Sequence, residues 1–219
     1  MNKCKATING ALPLIAILRG ILPKDAIRIT RILIDEGFSF IEVPLNSPQA
    51  LKSIQKLVDC FGSEYFIGAG TVTTAEKAEA VISTGANLVV TPNLNEQVIR
   101  LANEANCAVF PGVATPSEAF SAIALGVTGI KLFPISVMGL EGFKALKAVL
   151  PEDTLCLPVG GINPKVESMK PFLDSGAYGF GLGGALYTPS MSDEEVKMNA
   201  NAFIKAYHAS LEMKDGSSM

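Results

Sequence analysis

The chain has 219 residues, 48% of them hydrophobic, and a net charge of −3 from 18 basic and 21 acidic side chains. A chain of this length can bury a substantial core and suits one or two domains. The basic residues are scattered, which argues against a nucleic-acid or membrane-surface partner.

No apolar run approaches the ~20 residues of a membrane span. Lys3 and Lys5 precede the run Leu12–Leu18, but Pro13 and Arg19 flank a short stretch and no small-residue cleavage site follows. It is therefore not read as a signal peptide. Cys4, Cys60, Cys107 and Cys156 form no C-x-x-C pair, which suggests thiols in a reducing cytosol. The one histidine, His208, lies in a polar C-terminal helix and is expected at the surface. A zinc site draws on several His ligands, and a Ser-His-Asp mechanism would need this residue in the site.

Short apolar runs alternate with amphipathic segments along the chain. The expected strands are Leu14–Leu18, Phe40–Leu45, Tyr65–Ala69, Leu88–Thr91, Ala108–Pro111, Gly129–Phe133, Leu155–Val159 and Gly179–Leu182. Their continuous apolar character suits parallel strands covered on both faces. The expected helices are Pro23–Gly37, Pro48–Phe61 behind a Ser47 cap, Thr74–Thr84, Asn95–Ala105, Ser117–Leu125, Gly142–Leu150, Lys165–Ser175 and Ser192–Leu211. Ser, Pro, Gly and acidic residues punctuate these segments as helix starts and stops.

Eight such units predict a single-domain α/β protein, a (β/α)8 TIM barrel over residues 1–212, with 213–219 as a disordered tail. The alternative is a doubly wound open sheet, which would need an edge strand that no polar segment supplies. In a (β/α)8 barrel the active site lies at the C-terminal ends of the strands.

Two charges sit inside otherwise apolar strands, Glu42 and Lys131. Period-two alternation puts each on the face it shares with Phe40 and Phe133 respectively, so both can meet at the barrel mouth. A structural ion pair is one reading, but desolvation offsets most of its attraction. The other reading is chemical. Burial lowers the pKa of a lysine, and a neutral amine forms a Schiff base with a ketone. A carboxylate beside it shuttles protons. Arg19 offers a fork for a carboxylate and Thr71 a hydroxyl. Gly160-Gly161 and Gly183-Gly184 follow the last two strands, where this fold often binds phosphate.

The motifs LIAILRG (14–20), IEVPLNSP (41–48), GAGTV (68–72), GIKLFP (129–134) and PVGGI (158–162) together resemble the 2-keto-3-deoxy-6-phosphogluconate/6-phosphogalactonate aldolase family. The likeness covers Leu12 to about Leu211. It implies a class I aldolase, a cytoplasmic homotrimer without cofactor or metal, with Lys131 as the Schiff-base lysine and Glu42 as the acid/base. It implies that Arg19 and Thr71 contact the substrate's polar head, and that Pro92 and Phe133 shape the pocket. The phosphate falls to Gly160, Gly161, Gly183 and Gly184. Pro44, Asn46 and Val159 resemble the 6-phosphogalactonate branch, since Val159 cannot hydrogen-bond the C4 hydroxyl that distinguishes the two substrates. Gly184 departs from a common Ser. The implied substrate is a phosphorylated 2-keto-3-deoxy sugar acid, cleaved to pyruvate and glyceraldehyde 3-phosphate. Action on the gluconate epimer or on 4-hydroxy-2-oxoglutarate, a sugar-phosphate isomerase, and a non-catalytic phosphosugar-binding barrel are the alternatives.

Overall fold

A computed structural model describes the backbone of residues 10–215 and the side chains of 10–212. Cys4 and residues 216–219 of the expected tail lie outside the described residues.

Strands and helices alternate along the chain: β1 (Leu14–Ile17), α1 (Ala26–Asp35), β2 (Phe40–Pro44), α2 (Ala50–Phe61), β3 (Phe66–Gly70), α3 (Ala75–Ile82), β4 (Leu88–Val90) and α4 (Glu96–Glu104) come first. Then come β5 (Ala108–Phe110), β6 (Gly112–Val113), α5 (Pro116–Ala124), β7 (Ile130–Leu132), α6 (Ile135–Lys147), β8 (Cys156–Pro158), α7 (Val166–Asp174), β9 (Phe180–Leu182) and α8 (Asp193–Asp215). All strand pairs are parallel, in the orders β5-β4-β3-β2-β1-β9 and β6-β7-β8.

The fifth barrel strand is interrupted once. Pro111 has no N–H, so the ladder of β5 stops before it and resumes as β6 at Gly112. Its carbonyl still accepts from Lys131 N–H at 2.9 Å. On the other side the bridge Val159↔Gly181 joins β8 to β9. The two sheets therefore close into one barrel of eight strand positions.

Alternation along the strands divides the core. Ile15, Phe40, Leu88, Val90, Ala108, Phe110 and Leu157 fill the barrel interior. The alternate positions, among them Leu14, Ala16, Ile41, Val43, Val89, Val109 and Ile130, pack outward under the helices. That split is the period of two read from the sequence.

Three expectations need correction. Ser47 does not cap α2. The helix starts at Ala50 behind Gln49, whose φ of 50° is left-handed, and Ser47 Oγ instead accepts from Gly20 N–H at 2.9 Å. The helix expected from Gly142 begins at Ile135. Its first turn is broken at Gly139, φ 69° and ψ 177°, which hides the continuity in the sequence pattern. Finally, α8 runs through Asp215, past the expected boundary at 212. At its start Ser192 Oγ accepts from Glu195 N–H, and the Glu195 carboxylate accepts from Ser192 N–H, a reciprocal cap. His208 is exposed, as its polar helix suggests.

Several strands approach so closely that a methyl group would not fit. A Cβ at Gly68 in β3 would overlap the Leu88 carbonyl of β4. Backbone cannot yield there as a side chain can. Gly68→Ala is expected to cost roughly 3 kcal/mol or more in denaturant unfolding. A loss below about 1 kcal/mol would mean the strands can part without penalty.

Candidate active site

The C-terminal ends of the strands surround a cleft of about 370 Å³. Lys131, Phe133, Arg19 and Val159 form its walls with Ile17. Gly160, Gly161, Gly183 and Gly184 line its other end with Asn163. Eight of the expected site residues thus share one cavity.

Lys131 is 7% exposed in the middle of β7. Burial pushes its ammonium below the ordinary lysine range, the Glu42 carboxylate opposes that, and the Arg19 charge adds to it. Its Nζ lies 4.8 Å from the centroid of the Phe133 ring. The two residues share a strand face and the ring shields the amine from water.

Glu42 is 1% exposed in β2. Burial raises its carboxyl to about 7, and only Lys131 and Arg19 pull the other way. Its Oε2 is buried and has no hydrogen-bond partner. No ion pair joins Glu42 to Lys131 among the described residues. The two groups feel each other's charge without closing into a salt bridge. Buried polar atoms are nearly always satisfied, so an orphaned carboxylate oxygen calls for an explanation. A hydrogen-bonding group of a bound substrate would satisfy it.

Gly70 of β3 makes room for that carboxylate. A Cβ at Gly70 would collide with both Glu42 oxygens. The next residue, Thr71, has φ 58°. A β-branched residue in the left-handed region carries about 1–3 kcal/mol of backbone strain. Such strain is held only where its surroundings enforce it.

Glu42, Thr71 and Pro92 lie outside the residues that line the cleft. Thr71 follows the glycine beneath Glu42. Pro92 packs behind Gly112, whose hypothetical Cβ would strike the Pro92 carbonyl, and Gly112 pairs with Lys131.

The glycine pairs differ from each other. Gly160 and Gly161 have φ of 106° and 85° and form a tight turn after β8. A Cβ at Gly183 or Gly184 would meet nothing within 4 Å. Glycine there leaves open space, and a serine side chain would fit at 184. From Gly183 the chain turns helically, with Leu186 and Tyr187 N–H donating to Gly183 O at 2.8 and 3.1 Å. The first N–H groups of such a turn have no internal acceptor and suit an anion.

Sequence reasoning missed Ile17, Ile162, Asn163, Gly181 and Ala185 as lining residues. Ile17 was within reach, since it shares a strand face with the inward Ile15 and pairs with Glu42. Asn163 lies in an irregular loop whose path no periodicity reports.

The KDPG and KHG aldolase family model matches residues 6–200. The chain is 45% identical to the 2-dehydro-3-deoxy-6-phosphogalactonate aldolase of Escherichia coli K12 over 201 residues, 92% of this chain and 97% of that protein. A solved structure described as native KDPGal superposes with a TM-score of 0.89 at 45% identity, covering 92% of this chain and 97% of the other. The KDPG aldolase of Legionella pneumophila, with pyruvate captured as a covalent carbinolamine intermediate, superposes with a TM-score of 0.74 at 25% identity over 94% and 96% of the two chains. Fold and sequence agree, and the chain belongs to the KDPG and KHG aldolase family.

Proposed function

We propose that this chain is a class I aldolase that cleaves 2-dehydro-3-deoxy-6-phosphogalactonate to pyruvate and glyceraldehyde 3-phosphate. The observation that carries the reading is the pair Glu42 and Lys131. Both are buried at the mouth of one barrel, charge-coupled, and joined by no ion pair. The 45% identity to the Escherichia coli phosphogalactonate enzyme supports the substrate.

Lys131 Nζ, whose burial eases loss of its proton, attacks the C2 ketone of the substrate as the free amine. The carbinolamine loses water to give an iminium. The Legionella relative holds pyruvate in the carbinolamine state. Glu42 then takes the proton of the C4 hydroxyl, the C3–C4 bond breaks, and its electrons pass into the iminium. Glyceraldehyde 3-phosphate leaves. Protonated Glu42 returns its proton to C3 of the enamine, and water releases pyruvate and the free amine. A carboxyl near 7 can both accept and return a proton at neutral pH.

Arg19 takes the substrate carboxylate and the glycines after β8 and β9 take the phosphate. Thr71 offers its hydroxyl to the same polar head, and Pro92 and Phe133 shape the pocket. Val159, buried against Gly181, presents no hydroxyl to the C4 position. The family likeness supports a homotrimer working in the cytoplasm. No helix among the described residues is long and apolar enough to cross a membrane.

Lys131→Ala is expected to abolish turnover, and retention of more than a few per cent would remove the lysine from the mechanism. Val159→Thr is expected to lower the preference for the galactonate over the gluconate epimer about tenfold in kcat/KM, the scale of one polar contact. Side-by-side rates on both epimers check this, and an unchanged ratio would place specificity elsewhere.

The Glu42 carboxyl also predicts a pH signature in stability. Its ordinary value is 4.5 and its folded value about 7. Between these the folded chain keeps a proton that the unfolded chain gives up, so stability falls as pH rises through that window. Glu42→Gln cannot ionise and lacks this loss. Between about pH 4.5 and 8 the variant should gain on the order of 3 kcal/mol relative to the parent in denaturant unfolding. A difference that does not change with pH would contradict the burial of an ionisable carboxyl here.

A further inference from the structure

Arg19 is exposed at the rim of the cleft, at the end of β1. A long exposed side chain ordinarily samples many rotamers, and fixing it costs up to about 2 kcal/mol. Here it is held. Its Nη1 donates to Asn46 Oδ1 at 2.6 Å. Asn46 ends the segment after β2, next to β1 in the sheet, where Ile17 pairs with Glu42 and Leu18 N–H donates to Glu42 O at 2.9 Å. The backbone is anchored as well. Gly20 N–H donates to the Ser47 hydroxyl at 2.9 Å, and Ser47 is buried. Gly20, with φ 83°, turns so close to Pro189 that a Cβ would come within 2.9 Å of its ring. The residue after Arg19 is therefore wedged, while its guanidinium is tied by one bond to a neutral oxygen.

The neutrality of that partner matters. A carboxylate at position 46 would form a forked ion pair with the guanidinium and cancel its charge. An amide oxygen orients one N–H and leaves the remaining donors and the full charge available. We infer that Asn46 is a positioning residue for the aldolase reaction, holding the Arg19 guanidinium over the cleft, uncompensated, to receive the carboxylate of the 2-keto acid. This inference rests on the Schiff-base reading above and adds to it the residue that sets the carboxylate subsite.

The test is a double-mutant cycle on the intact protein with pyruvate as the probe. Borohydride trapping of pyruvate gives a half-saturating concentration and a maximal rate for the parent, Asn46→Ala, Asn46→Asp, Arg19→Ala and the two double variants. Acetone, a ketone without a carboxylate, is trapped in parallel. Asn46→Ala should raise half-saturation for pyruvate about fivefold and Asn46→Asp about twentyfold, with maximal rates within about twofold, the scale of a hydrogen bond to a charged group. Acetone trapping should change by less than about twofold, since no carboxylate is involved. In the Arg19→Ala background Asn46→Ala should fall silent, and Asn46→Asp should shrink to the repulsion its own charge exerts on pyruvate.

Equal effects with and without Arg19, or equal effects on pyruvate and acetone, would overturn the role of Asn46. Asn46→Asp nearly conserves volume, so a folding defect confined to Asn46→Ala leaves the cycle readable. Pyruvate adduct formation by the parent alone, without Asn46–Arg19 coupling, would sink this inference and spare the mechanism. No adduct with the parent would sink the mechanism itself.

Discussion

The structure depends on keeping two ionisable groups in the dry mouth of a barrel without letting them neutralise each other. Taking a carboxylate and an ammonium out of water costs several kcal/mol for each ion. A close ion pair would recover part of that and would also silence both groups. Glu42 and Lys131 stay coupled but apart, so desolvation remains the largest influence on each. The result is a carboxyl and an amine both shifted towards their neutral forms. That condition makes a lysine nucleophilic and a glutamate able to pass a proton in both directions near neutral pH.

The barrel provides the separation through its backbone. Gly70 vacates the space that the Glu42 carboxylate occupies, and Gly181 vacates the space of Val159. Pro111 interrupts the fifth strand beside Lys131 and still offers its carbonyl to the Lys131 N–H. Phe133 places its ring face by the amine. The inward residues below, including Phe40, Phe110 and Leu157, exclude water from the floor. Rim residues work differently. Arg19 is exposed and reaches its position through Asn46 and Ser47, so its charge can meet a carboxylate arriving from solution.

The barrel was legible in the sequence because its strands are apolar throughout and its helices are punctuated by Gly, Pro and acidic residues. Glu42 and Lys131 stood out for the same reason, as charges in positions that only the interior could occupy. Ser47 misled, because a serine before a proline satisfies the local rules for a helix cap while a long-range partner, Gly20 N–H, takes its oxygen. Gly139 concealed the first turn of α6 by breaking its periodicity. Asn163 lies in the cleft wall through a loop path that depends on the left-handed turn at Gly160-Gly161. Local patterns reported which residues face inward, but not which loop residues converge, since that depends on the closed ring of strands.

The most direct test is to incubate the intact protein with pyruvate, reduce it with borohydride, and locate the modified residue by peptide mass spectrometry. A pyruvyl adduct on Lys131 is expected, formed faster as pH rises and its amine loses its proton. An adduct confined to other lysines, or none on a folded protein, would contradict it and return Lys131 to a structural role.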